Sequence, residues 1–373
     1  MSNVKAPSIS IEFRERAKTV ITRGERGIVG LILQDSVLQG TNFVVLDGTD
    51  VPTNLSDANK KLIEKALIGN DRAPRKVICY VMESDSSGDP DYSKALDFVE
   101  NSQCNVVAFS KVATDNAVDA VKTGIIAMRG RHKRVMCILP ECAGDNEGIV
   151  GWYGKVFDDD GNEIPKEDYC VRIAGAIAGT GLTSSICYMT LTDVANCERL
   201  SDADINAAVA AGKLIPMWDG EKVKIVNDVT TFQTTTEDKN NSYKVIKLVR
   251  DMDMVYDDIY ILVRDTYTGK YINNYDNQCV LLTAINEYLK RCVEDRIFSY
   301  ANLEFNIAEK RKWVKENIAT YPDKFVDDNG TPYVYESMTD TDIKKCWSAD
   351  KLFFVGRLGM LDTMKEFEFE FLI

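Results

Sequence analysis

Val77-Ile78-Cys79-Tyr80-Val81-Met82 is six residues of unbroken apolar character, and its reading decides the fold. Such a strand has no wet face, so something must cover both of its sides. Parallel sheets flanked by helices meet that condition. Working outward, residues 59–68 space Leu62, Ile63, Ala66 and Leu67 at helical intervals behind Ser56 or Asp57 as a cap. Before them lies a second apolar strand, Gly27-Ile28-Val29-Gly30-Leu31-Ile32-Leu33. Downstream, a loop over 84–90 leads to a helix at 92–100, a strand at Val106-Val107-Ala108-Phe109, a helix over 115–129 and a strand at 135–139. Apolar strands alternating with helices of about ten residues predict βαβ units.

The pattern changes beyond this half. Tyr169 to Thr190 is rich in small apolar residues and ends in Gly179-Thr180-Gly181, which predicts a tightly packed helix with a glycine cap. A short helix starts at Ser201, a hairpin turns at Asp219-Gly220, and long amphipathic segments cover 243–264 and 281–297. A shorter helix over 307–321 stops before Pro322, a helical turn covers 341–347, and a strand is expected at 351–358. The expected fold is α/β in residues 23–198 and α+β in 199–360, between terminal arms at 1–22 and 361–373.

Both arms are written as strands. Phe367, Phe369, Phe371 and Ile373 share one face of the last segment, and Glu366, Glu368 and Glu370 share the other. Ile9, Ile11 and Phe13 alternate with polar residues in the first. An isolated strand has to borrow a sheet edge, its own or a neighbour's. Gly356 and Gly359 offer joints before the C-terminal strand.

Composition limits the chemistry. At 373 residues, 45% hydrophobic and 28% charged, the chain has ample material for real cores. Its 45 basic against 58 acidic residues leave a net charge of −13, which argues against nucleic-acid or anionic-membrane binding. No signal segment and no transmembrane run is visible, and ten scattered cysteines read as reduced, buried small hydrophobes. The single histidine, His132, sits in the basic loop Arg129–Arg134, which removes most metal and triad chemistry. Gly175, Gly179 and Gly181 lack the lysine of a phosphate loop, and Asp158-x-Asp160-Gly161 has Val156 where a calcium loop needs its first ligand. The expectation is no catalytic residue, no metal and no cofactor. A basic cluster, Lys310, Arg311 and Lys312, lies on the 307–321 helix, with Lys344 and Lys345 nearby in sequence.

The ordered set of segments resembles contractile tail sheath proteins of phages and phage-tail-like bacteriocins. The resemblance is carried by Pro7–Phe13 leading into Arg26–Gly30, by Tyr169–Ala178, by the 212–231 hairpin, and by Phe354–Leu358 with Leu361–Glu366. It implies an α/β domain of subtilisin-like topology without protease machinery, and a C-terminal domain whose sheet receives the N- and C-terminal arms of neighbouring subunits. It also implies hexameric rings stacked helically around a tail tube, with tube, baseplate and tail terminator proteins as partners. Assembly would take place in the host cytoplasm and the product would be part of a tail particle. On this reading Ile9, Ile11, Phe13, Phe367, Phe369, Phe371 and Ile373 are subunit contacts, and Lys310, Arg311, Lys312, Lys344 and Lys345 are candidate tube contacts. The competing reading is an α/β metabolite- or nucleotide-binding enzyme that dimerises through its terminal strands.

Overall fold

The computed structural model describes residues 26–84, 89–131, 133–327 and 329–371. The seven-stranded sheet at its centre has strand order β2-β3-β1-β4-β5-β6-β9. These strands are β1 Ile28–Leu33, β2 Asn42–Val45, β3 Lys76–Val81, β4 Val106–Phe109, β5 Met136–Pro140, β6 Ile149–Trp152 and, after β7 Val156–Phe157 and β8 Asn196–Cys197, β9 Lys213–Leu214. All neighbouring pairs run parallel except β2 with β3.

Every residue of β1 is buried, as a strand covered on both faces requires. Val29, Leu31 and Leu33 enter one core with Leu62, Ile63, Tyr169 and Ile173, whereas Ile28 and Ile32 enter the other with Val99, Val121 and Ile125. The first core is thus closed by α1 Asp57–Ile68 and by α4 Lys166–Gly179. The second is closed by α2 Tyr92–Asn101 and α3 Val118–Gly130. Helix starts follow the sequence: Ser56 Oγ accepts from Asn59 N–H and Asp91 Oδ1 from Ser93 and Lys94.

The small residues of α4 have a steric reason. A Cβ on Gly175 would stand 2.0 Å from the Ala66 carbonyl oxygen, and one on Gly179 would stand 2.1 Å from that of Arg72. The helix therefore lies against the α1 backbone at a distance only glycine allows. It ends on Thr180, whose φ of −81° is not a left-handed glycine cap and whose hydroxyl donates to Ala176 O at 2.7 Å.

The remaining elements are α5 Asp202–Ala210, β10 Pro216–Trp218, β11 Val223–Ile225, α6 Ile246–Leu262, α7 Tyr275–Glu294, β12 Phe298–Phe305, α8 Ile307–Asn317, α9 Asp340–Lys345 and β13 Phe354–Met360. The chain forms two compact units. Of the described residues, one contains those of 26–261, 293–300 and 358–371, and the other those of 262–292 and 301–357. The sequence placed a boundary at 198/199, whereas residues 199–261 group with the sheet. Val223, Ile225, Ile246 and Val249 are members of its first core, and β9 extends its edge. The other unit packs Val314, Phe325, Met338, Ile343 and Cys346 with Trp313 and Trp347, whose rings lie 5.6 Å apart. Strands β12 and β13 pair as a two-stranded ribbon.

Candidate functional site

After β13, residues 361–371 form neither helix nor strand within the single chain. Their alternation is nevertheless kept. Phe367 and Phe369 stack with centroids 6.3 Å apart and planes at 10°, as i and i+2 side chains of an extended segment do. Phe367, Phe369 and Phe371 are 63, 77 and 84% exposed. Ile373 lies outside the described residues, as do Ile9, Ile11 and Phe13.

The root of this segment is fixed firmly. Lys365 Nζ lies 2.6 Å from Asp228 Oδ1, inside the protein, and 2.9 Å from Asp362. From the opposite direction, Lys247 Nζ donates to Leu361 O at 2.6 Å and pairs with Asp251 at 2.8 Å. Loss of solvent alone would lower the Lys365 ammonium, but the Asp228 carboxylate prevails and holds it above its ordinary value. Burial in turn pushes the Asp228 and Asp251 carboxyls up, the latter to about 6. These are enclosed charges that hold position at an energetic cost.

Lys247 and Asp251 lie on α6, and the same helix holds the chain where the described residues begin. Arg26 donates to Asp257 at 2.9 Å and to Met254 O at 3.0 Å, with Asp258 at 3.5 Å. The helix is itself pinned to the sheet unit by Arg129, which grips Asp253 through two bonds of 2.8 and 2.9 Å. One helix therefore holds both Arg26 and the Leu361 carbonyl.

The β12–β13 ribbon is the open strand edge nearest in sequence. Two-stranded ribbons are marginal by themselves. Here Tyr300 is 57% and Val355 39% exposed. On β12, the Asn286 side chain occupies the backbone of Leu303 as a strand would, donating to its carbonyl at 2.9 Å and accepting from its N–H at 2.8 Å.

The basic residues separate by position. Lys310 is buried, its Nζ donating to Lys344 O at 2.8 Å and Cys346 O at 2.9 Å, and burial pulls its ammonium below the ordinary value. It joins α8 to α9 and offers no charge to solvent. Arg311 pairs with Asp340 at 2.7 Å and Lys312 with Glu309 at 2.7 Å. Lys345 is exposed and Lys344 half-buried.

A large cleft, about 770 Å³, opens at the carboxyl edge of the sheet, where α/β folds hold ligands. Most of its charges are already used. Lys122 pairs with Asp119 and Lys166 with Glu141, and Glu167 accepts from Ala113 N–H, Thr114 N–H and the Thr114 hydroxyl. Among the described residues no group of three potential metal ligands is assembled, and no helix is long and apolar enough to cross a membrane.

Residues 85–231 match the phage tail sheath protein central domain. A tail sheath protein of Clostridium phage phiCD119 is 28% identical over 370 residues, covering 96% of this chain and 97% of the relative. The contracted helical sheath of the anti-feeding prophage superposes with a TM-score of 0.69 over 99% of each chain at 13% identity. A sheath tail protein from Desulfitobacterium hafniense gives 0.65 over 80% of this chain and 94% of that one, at 16% identity. At such identities the structural likeness is one of fold, a mixed α/β architecture with a mostly parallel sheet. The resemblance read from the sequence is borne out by all three comparisons.

Proposed function

We propose that this chain is the structural subunit of a contractile tail sheath, polymerising through strands that adjacent copies exchange. The observation that carries the reading is the rooted segment at 361–371. Its base is locked by enclosed ion pairs, while three phenylalanines beyond the lock stand in water. An apolar face of this kind is left uncovered for a partner. A strand added to the β12–β13 ribbon of a second copy covers it with backbone hydrogen bonds as well as aromatic burial.

A head-to-tail contact that does not close generates a helix of subunits. In this reading hexameric rings stack around a tail tube and arms link successive rings; Gly356 and Gly359 lie inside the paired strand β13, so the turning of rings falls to the segment after Met360. The N-terminal arm, with Ile9, Ile11 and Phe13, makes the reciprocal link, and the sheet unit has subtilisin-like topology without catalytic use. Contraction is a change between two packings of the same subunit. Tube, baseplate and terminator proteins are the partners, and Arg311, Lys312 and Lys345 are the cations placed to meet an acidic tube. Assembly takes place in the host cytoplasm, and the finished sheath is part of the tail particle.

The test is a deletion of residues 366–373 that spares Lys365 and its pair with Asp228. The truncated protein is expected to stay folded and monomeric by size exclusion and to form no tubes in electron micrographs. Sheaths of ordinary length from the truncated chain would remove the basis of the proposal.

A further inference from the structure

At the amino ends of β1, β4 and β5, opposite the large cleft, lies a small one of about 30 Å³. Arg26, Asn105, Arg134, Arg250 and Asp253 line it. Its polar groups are nearly all donors. Asn105 Oδ1 already accepts from Ile28 N–H at 3.2 Å, which leaves the amide NH₂ for the cleft. Asp253, the one acid, is occupied by both bonds from Arg129. Arg26 is held by Asp257, yet its enclosed Nε has no hydrogen-bond partner among the described residues.

The other two guanidinium groups make no ion pair among the described residues. Arg250 donates to Thr180 O at 2.7 Å and has no carboxylate within ion-pair distance among the described residues. Arg134 lies over the Tyr256 ring at 4.2 Å, a contact that spends none of its donors on an anion. Burial drives the Arg250 guanidinium below its ordinary value; Asp251 opposes this and Arg26 adds to it. Both side chains are half-buried at the cleft, and the planar fork of arginine fits a carboxylate through two parallel bonds. The space of about 30 Å³ is more than a single water-sized group needs. That suits a carboxylate head on its own stem and is too little for a nucleotide.

We propose that this cleft is a carboxylate-binding site in which Arg250 and Arg134 recognise the anion. The chain itself is the obvious supplier, with 58 acidic against 45 basic residues. The row Glu366, Glu368 and Glu370 stands exposed on the rooted segment and reaches a second copy if strands are exchanged. Only this choice of guest rests on the sheath reading; the site itself does not.

The test titrates the full chain with sodium acetate against sodium chloride at fixed ionic strength, following melting temperature and arginine Nε–Hε resonances. Acetate is expected to give a saturable rise in melting temperature and to shift the Arg250 and Arg134 signals, while chloride does neither. Arg250→Gln and, separately, Arg134→Gln are expected to abolish or weaken that response, and Arg250→Lys to keep part of it. Equal behaviour of acetate and chloride in the unmodified protein overturns the site, even if a variant fails to fold. An acetate response that survives in both glutamine variants overturns it as well. A synthetic peptide of residues 365–371 then names the guest. Displacement of acetate by the peptide, lost when its three glutamates are changed to glutamine, identifies a second copy. Acetate binding without displacement identifies a free small acid.

Discussion

Replacing Phe369 by serine tests the exchange mechanism at its most exposed anchor. In the single chain this ring is 77% exposed, so the change removes almost no contact that the folded monomer makes. Docking in a neighbour hides most of an aromatic side chain, worth about 1.5–3 kcal/mol when burial is complete. Scaled to the exposed share, Phe369→Ser costs each joint roughly 1–2 kcal/mol, and about 1.4 kcal/mol is tenfold in a binding constant. The critical concentration for tube formation, measured by pelleting across a dilution series, is expected to rise about tenfold while the monomer melting temperature stays within a degree. Changing Phe367, Phe369 and Phe371 together is expected to raise it by two orders of magnitude or more. An unchanged critical concentration refutes the reasoning. So does a monomer melting temperature that falls in step with assembly, because the rings would then be packed against their own molecule.

Three further outcomes follow from the enclosed charges. Lys365→Met leaves the Asp228 carboxylate buried without its cation and is expected to destabilise the monomer by about 3–5 kcal/mol in urea melts, with much of the loss recovered by adding Asp228→Asn; no recovery would mean that the pair is not the anchor. The Asp251 carboxyl is pushed up to about 6 from an ordinary value of 3.8, chiefly by burial. Between those values the folded chain keeps a proton the unfolded chain has lost, so this contribution is full below pH 3.8 and gone above about pH 6. The stability of the unmodified protein minus that of Asp251→Asn is therefore expected to fall across that window and to be flat above it, and a rise there would contradict the placement. Lys310→Ala is expected to lower the melting temperature by loosening α8 from α9, whereas Lys312→Glu leaves it unchanged; the reverse order would show that Lys310 is not the internal strut.

Much of the sheet unit could be read from the sequence because its signals are local. Unbroken apolar runs such as Val106–Phe109 have no stable place except between two helical layers, and the structure puts β4 there. The small residues of α4 were legible as close packing for the same reason. The ion pairs that root the arms were not legible. Arg26 meets Asp257 and Asp228 meets Lys365 across more than a hundred residues, and the chain holds too many carboxylates for any one pairing to stand out. Lys310 shows a signal that was present but unused. It sits three residues after Ile307 and four before Val314, on the apolar stripe itself, so helical phase alone turns it inward. β12 is a second unused signal: Ala301, Leu303 and Phe305 are half-buried between exposed Tyr300, Asn302 and Glu304, yet the sequence reading assigned it no strand. The C-terminal strand was written in the sequence, yet residues 361–371 are unpaired in the monomer, since a strand without a neighbour has no ladder to join.

The most direct measurement is a cryo-EM map of the polymer formed by this chain, traced from Met360 onward. The account predicts that Phe367, Phe369 and Phe371 of each copy lie as a strand along the β12–β13 ribbon of another, while Lys365 stays on Asp228 of its own copy. A map in which those three rings pack against the molecule that carries them, with no strand passing between copies, would contradict it.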